Sequence, residues 1–380
     1  MRILHTSDWH LGRQFHGQSL EEDHAVVLDQ VYRVLITHTP DALIVAGDVY
    51  DRASPSASAF RQFNEFIKRV ADNTNVAIII IAGNHDSGDR IEPMSIMADP
   101  KRALIRGPLI ADERSLVLND AHGPVAFSAI PFGNEFAARE CFGTTEIDSP
   151  ADVIQAQIST AKAHVPKGAR WVVVAHAFVA GASPSDSELN LGRTVGGIET
   201  VSASVFDEAH YVALGHLHRP QIVGHGHIRY SGSPLAFGFD ESDAAKSMSL
   251  IDLAKDGSVE ITELPFTPIR KVRTLRGKLS DLIASGDPSE DFVKVVLTDE
   301  VRLIDPMKQA RQLYPNASEL YYERDEASHD ASTAEIVKAD LTKPADVIAE
   351  FLALVRGNPQ SEAESRIIEA SLKTLTEAES

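Results

Sequence analysis

The chain has a single cysteine, Cys141, so no intrachain disulfide can form. This fits a reducing compartment such as the cytoplasm. It also lacks any apolar run approaching the ~18 residues a membrane-spanning helix needs, and no such span is expected. No cleavable leader is expected either. The first apolar strand runs straight into Asp8, and removing it would remove a motif. Internal repeats and low-complexity tracts are absent. Basic residues are few beside the acids, 36 against 55, for a net charge of −19. That balance argues against a passive nucleic-acid binder, whose surface is normally basic. It leaves room for an enzyme acting through bound cations, because a metal site gathers carboxylates and the ions offset them locally. The deficit is also uneven. Residues 323–380 hold 13 acids and 6 bases, whereas Arg270, Lys271, Arg273, Arg276 and Lys278 follow one another with no acid among them.

What is present is a chain of 380 residues with 43% apolar content, enough for two or three domains with a real core. Apolar runs at Arg2–Thr6, Ala42–Ala46, Val76–Ile81, Trp171–Ala175 and Tyr211–Leu214 read as strands, the β-branched ones as fully buried. Between them, Leu28, Val31, Tyr32 and Leu35 recur at helical spacing behind a Ser19–Glu22 capping box. Phe60, Phe63, Ile67 and Val70 mark a second amphipathic helix, and Ala151–His164 a third. A hairpin is expected across Leu116–Ile130. Ile228–Tyr230 and Ser247–Leu253 read as strands with an exposed face in a later hairpin. The pattern predicts an α+β fold of two packed sheets flanked by helices. It restarts near Leu264–Pro268. The domains expected are therefore 1–264, a small α/β domain over 265–325, and a polar linker with two terminal helices over 326–380.

Five motifs place polar residues directly after apolar strands: Asp8-Trp9-His10, Gly47-Asp48, Gly83-Asn84-His85-Asp86, His176 and Gly215-His216-Leu217-His218. Each of Asp8, Asp48 and His176 alone is an ordinary loop or strand-end residue. Asp8 and His10 sit two apart, as do His216 and His218, so in extended chain each pair points one way. Carboxylate, amide oxygen and imidazole together suit manganese, zinc or iron better than calcium. A glycine before Asp48 lets the backbone come close, and the two oxygens of Asp48 suit it to bridging. Together the motifs fit two divalent ions side by side, an arrangement that hydrolyses phosphate esters. His85 can face the substrate rather than the ions, with Asp86 orienting its ring.

The order of these motifs resembles the calcineurin-like metallophosphoesterase superfamily. Within it, Ser7–Gly12, Gly47–Asp51, Ala213–Gln221 and Tyr230–Pro234 resemble the SbcD family of nucleases, as does the stretch Asp305–Ala317. The resemblance implies a two-sheet β sandwich followed by a small capping domain. It implies that Asp8, His10 and His218 hold one metal and that Asn84, His176 and His216 hold the other. Asp48 would bridge them, and His85, backed by Asp86, would be catalytic. The implied ions are two Mn2+. The implied activity is double-strand exonuclease, 3′-to-5′, with single-strand and hairpin endonuclease, in DNA end processing, repair and recombination. The implied partners are DNA and the ATPase subunit SbcC, which alone uses ATP, with a homodimer inside a heterotetramer in the cytoplasm. Arg270, Lys271, Arg273, Arg276 and Lys278 are candidate phosphate contacts, and the terminal helices are candidates for docking SbcC. One position departs from the pattern: where relatives carry a second histidine after Gly-Asp, this chain has Asp51. Two competing readings remain, a phosphatase on a small or protein phosphoester and a non-catalytic scaffold. The complete ligand set speaks against the scaffold, and residues 265–380 are unexplained by the phosphatase.

Overall fold

In the computed structural model the residues described are 1–96, 99–189 and 200–325, with short stretches at 345, 348–349, 360–361, 363–368 and 371–372. They divide into two compact units, Met1–Arg273 and Thr274–Ser380. The expected linker and terminal helices over 326–380 lie largely outside the described residues.

The first unit is built on two six-stranded sheets. One has the order Val259–Pro265, Ser247–Leu253, Arg2–Thr6, Ala42–Ala46, Ala77–Ile81, Ala103–Arg106. Its last four strands are parallel, and its first two pair antiparallel. The other has the order Gln221–Ile222, Ile228–Tyr230, Tyr211–Gly215, Arg170–His176, Gly123–Ile130, Leu116–Asp120. Its four central strands are parallel and both edges antiparallel. Ile3, Ile44 and Ile79 from the first sheet and Phe127, Val172 and Ala213 from the second share one core between the sheets. Residues of opposite parity, such as Leu43, Val45, Ile78 and Ile80, are equally buried, which is why these strands read as unbroken apolar runs. On the second sheet's outer face the helix Pro150–Ala163 packs Ile154 and Ile158 on Ala126, Ile130 and Val173. This is the α+β sandwich that the strand pattern predicted.

Three local expectations are corrected. The helix Glu21–His38 has Leu20 at its N-cap and no side-chain cap; Ser19 Oγ accepts from Glu21 N–H instead, one residue early. The helix Ala57–Asn73 buries Ala59, Phe63, Phe66 and Val70, because Phe63 and Phe66 pack on Trp9, and Phe60 stays 44% exposed. Ile228–Tyr230 and Ser247–Leu253 are buried strands of different sheets, not one half-exposed hairpin. Polar Ser249 suggested exposure, yet it is fully buried and accepts a hydrogen bond from Arg229 Nε at 2.8 Å.

The second unit has a three-stranded sheet of Val272–Gly277, Phe292–Leu297 and Ala317–Tyr322, the last two parallel. Leu279 from the helix Leu279–Ser285 and Ala310 from the helix Pro306–Ala310 close its small core with Val293, Val295, Tyr314 and Tyr322.

Candidate metal centre

The sheet registers decide where the motifs meet. Thr6 pairs with Val45, Ala46 with Ile81, and Gly215 with His176. Asp8, Asp48, Asn84, His176 and His216 therefore leave the sandwich from the C-terminal ends of parallel strands, the usual place for a ligand in such sheets. Backbone bonds sew these loops together. Asp8 N–H donates to Gly47 C=O and His10 N–H to Asp48 C=O, both at 3.0 Å. The Asp8 carboxylate accepts His216 N–H at 2.9 Å, and Asp48 Oδ1 accepts His85 N–H at 2.8 Å.

This turn chemistry is strained. Asp8, His10, Asp48 and His216 have φ of 52°, 46°, 49° and 104°. Each non-glycine residue there costs about 1–3 kcal/mol and persists only where its surroundings fix it. The neighbouring glycines show how tight those surroundings are. A Cβ at Gly47 would lie 2.2 Å from His176 Nδ1, and one at Gly83 2.2 Å from Asp48 Oδ1. The close approach expected at Gly47 is made against the His176 ring.

The side chains converge in two groups. In one, His10 Nε2 faces His218 Nε2 at 3.2 Å, with Asp8 beside them. In the other, Asn84 Oδ1 lies 2.9 Å from both His176 Nε2 and His216 Nδ1. Asp48 Oδ2 sits between the groups, 3.6 Å from His10 Nε2 and 3.5 Å from His176 Nε2. Asp8, His10 and His218 form one set of donors close enough for a single cation, and Asp8, Asp48 and His176 form another.

The electrostatics fit a cation pair. Asp8, His10, Asp48, His176 and His218 are all buried. Among the described residues neither Asp8 nor Asp48 has a lysine or arginine partner. Burial raises the Asp8 carboxyl to about 6, against the pull of His176. Burial works the same way on Asp48, but the charges of His176 and His10 win and hold it below the usual carboxylate range. His176 is opposed by burial yet raised to about 9 by Asp48. Burial lowers His216 to about 3, and the neighbouring charge of His176 adds to it. Two buried carboxylates compensated only by imidazoles are poorly served by protein charge alone. Oxygen and imidazole donors converging on two points suit divalent first-row ions.

His85 lies beside this set, its ring centroid 4.7 Å from that of His10. The partner expected for its ring is not the one found. His85 Nδ1 donates to the Asp51 carbonyl at 2.9 Å. Asp86 instead accepts the N–H groups of Val49, Tyr50 and Gly83 at 3.0, 2.9 and 3.0 Å, clamping the Gly47–Asp51 and Gly83–Asp86 loops together. Two of these backbone donors come from the Gly47–Asp51 loop and one from its own turn, and both oxygens of the Asp86 carboxylate are engaged by them. Burial, with Asp48 nearby, raises Asp86 to about 6. Asp51 itself salt-bridges Arg13 at 3.0 Å and lies 3.7 Å from His10 Nδ1.

Of the basic run, Arg270 is half-buried and bonded through its guanidinium to the buried Asp23 and to Ser19 C=O, so its charge is already engaged. Arg276 pairs with Glu323 at the surface. Lys271 and Lys278 are exposed and Arg273 half-buried. His24, which reads as a surface residue, is fully buried in the helix Glu21–His38.

Four residues at the site carry no motif and escape sequence reasoning. The Phe237 ring sits edge-on to His10 and His218, with centroids at 5.2 and 5.3 Å. Glu188, Glu241 and Lys246 surround His218 from behind. The only signal for Phe237, Glu241 and Lys246 in sequence is proximity to Tyr230–Pro234, and Glu188 has none. Isolated acids in a polar loop look like solvated surface.

Two family models match the chain. The family described as calcineurin-like phosphoesterase matches residues 1–220. The SbcD C-terminal domain, described as the type 5 capsule protein repressor C-terminal domain, matches residues 265–356. Among solved structures, a 5′-nucleotidase precursor from Thermus thermophilus is 14% identical with a TM-score of 0.36. The match covers 70% of this chain, which spans about half of that one, 54%. Among the described residues no helix is long and apolar enough to cross a membrane. With more than half its length matched, the chain belongs to the calcineurin-like phosphoesterase family and carries the SbcD-type C-terminal domain.

Proposed function

We propose that this chain is the nuclease subunit of an SbcD-type complex, a metal-dependent phosphodiesterase that cuts DNA. The observation that carries the reading is the pairing of the buried donor set with an SbcD-type C-terminal domain on one chain. Two divalent cations at the site, Mn2+ by family resemblance, would supply Lewis-acid polarisation of the phosphate and an acidified water. Asp8, His10 and His218 would hold one, Asn84, His176 and His216 would hold the other, and Asp48 would serve both. The strained turns fix these donors before substrate arrives. His85 positions its ring through Nδ1 on the Asp51 carbonyl, leaving the Nε2 lone pair to take up a proton and then deliver it to the departing sugar oxygen. Asp86 holds the two loops in register for that contact. Lys271, Arg273, Arg276 and Lys278 are the remaining candidate phosphate contacts, since Arg270 is taken by Asp23.

The finer reading follows the family: 3′-to-5′ exonuclease on double strands, endonuclease on single strands and hairpins, in a cytoplasmic heterotetramer with SbcC. Manganese-dependent digestion of linear duplex DNA, with and without SbcC and ATP, tests it. Nitrophenyl phosphate mono- and diesters serve as the comparison. Degradation of duplex DNA that stops on chelation supports the reading. Rapid hydrolysis of monoesters with no DNA cleavage, even with SbcC present, would replace it with a phosphatase.

A further inference from the structure

His218 is held on three sides by buried residues. Its backbone N–H donates to Glu188, and its C=O accepts from Lys246 Nζ at 2.8 Å. Its ring Nδ1 lies 3.3 Å from Glu241 Oε1. Glu241 is fully buried, and its second oxygen accepts from Lys246 Nζ at 2.5 Å. The first also accepts from Ser185 Oγ at 3.2 Å, and Phe237 N–H reaches the second at 3.3 Å. Lys246 is itself buried, and its Nζ reaches Ser233 Oγ at 3.0 Å. The His218 hydrogen bond and the Lys246 ammonium offset the burial of the Glu241 carboxylate and hold it below the usual carboxylate range.

The other imidazoles are backed differently. His176 Nδ1 donates to the carbonyl of Ala46 at 2.9 Å. His216 turns Nδ1 toward Asn84. His10 Nδ1 is buried without a hydrogen bond. Among the described residues, His218 is thus the one donor imidazole whose far nitrogen hydrogen-bonds a carboxylate.

We infer that Glu241, held in place by Lys246 and Ser185, is a positioning residue that fixes the proton of His218 on Nδ1 and makes its Nε2 the strongest imidazole donor of the site, so that the Asp8–His10–His218 position binds a divalent cation more tightly than the Asn84–His176–His216 position. A carboxylate behind a ligating histidine sets the tautomer and ring orientation and raises basicity, and losing one costs about 10–100-fold in metal affinity. The inference rests on the metal-centre reading above, and it adds an order of filling to it.

The test uses the full chain. Mn2+ binding is measured by calorimetry on wild type and Glu241→Gln, and the His218 tautomer is read by 15N-edited NMR of the metal-free protein. Glu241→Gln keeps shape and an acceptor but removes the charge. The tighter of two Mn2+ sites should weaken about 10–100-fold, with the other changed less than about twofold. In a His218→Ala background the same substitution should add nothing to metal loss. Unchanged affinities, or equal weakening of both sites, would overturn the inference and leave Glu241 a core residue. Should Glu241→Gln not fold, the wild-type spectrum still decides: a proton on His218 Nδ1 supports the assignment, and one on Nε2 overturns it. Wild type that binds no Mn2+ at all would count against the metal centre itself, while the tautomer would still report on Glu241.

Discussion

The two halves of the site are built from similar donors but held by different means. The Asp8–His10–His218 half is packed against Phe237 and backed by the buried charges of Glu188, Glu241 and Lys246. The Asn84–His176–His216 half is backed by neutral dipoles: the Ala46 carbonyl behind His176, and the Asn84 amide between the two rings. One half is fixed by paired charges that cannot move without leaving a buried ion exposed to a low dielectric. The other is fixed by the end of a parallel sheet, where His176 and Gly215 are in register. The candidate metal centre thus has one half tuned by charge and one tuned by backbone geometry.

The largest effect is expected where the halves share a residue. Asp48→Asn removes the one carboxylate, among the described residues, whose oxygen lies within 3.6 Å of imidazoles from both halves. Metal content after dialysis should fall at both positions, and phosphodiester hydrolysis should drop by about 10³-fold or more. Retention of one ion per chain would mean that the halves bind independently and that Asp48 serves only one.

His85→Ala probes the boundary between holding and acting. Its ring lies beside His10, but its Nδ1 is engaged by the Asp51 carbonyl. Turnover should fall about 10²–10⁴-fold, the range for a lost proton-transfer group, with both metals retained. Loss of one ion would place His85 in the donor set, where its closeness to His10 and Asp51 makes it a geometric candidate.

How much of this was legible in sequence differs between the halves for a physical reason. All seven donors stand next to buried parallel strands, and a five-residue apolar run such as Ala77–Ile81 announces where its polar successor will sit. Gly47 was readable as a close-approach position, while the equally tight contact at Gly83, where a Cβ would lie 2.2 Å from Asp48 Oδ1, was not read from its motif. Glu241 and Lys246 were not readable, since nothing in a polar loop says that it will fold behind His218. Asp86 differs from the expectation in its partner: backbone donors at Val49, Tyr50 and Gly83, two of them from the neighbouring loop, take its carboxylate in place of the adjacent ring. The capping box at Ser19 failed while one at Ser149–Asp152 forms, because the helix start is set by how the entering strand is anchored as well as by local propensity. In the C-terminal unit the strands and short helices followed their apolar patterns, but the basic run could not show that Arg270 answers Asp23, far away in sequence.

Asn84→Asp would sharpen the comparison by giving the dipole-held half a charge of its own. Ligand charge is a main lever on cation affinity. The weaker Mn2+ site should tighten about tenfold, which calorimetry would read as convergence of the two affinities. Divergence instead would mean that Asn84 is valued for its neutral contacts to His176 and His216 rather than as a donor.

The smallest effect concerns His24, whose ring lies 6.4 Å from that of Phe237, behind the charge-held half. Burial lowers its pKa from 6.5 to about 4, against the opposing charge of Asp23. Between those values the unfolded chain binds a proton at His24 that the folded chain does not. Stability from this residue is therefore full above pH 6.5 and is lost as pH falls toward 4. At pH 5.5 the loss is about 1 kcal/mol relative to pH 7.5. Urea unfolding of wild type and His24→Leu at both pH values would show it: the variant should lose about 1 kcal/mol less on acidification. An identical loss in both proteins would mean that His24 is not the group whose protonation costs stability on acidification.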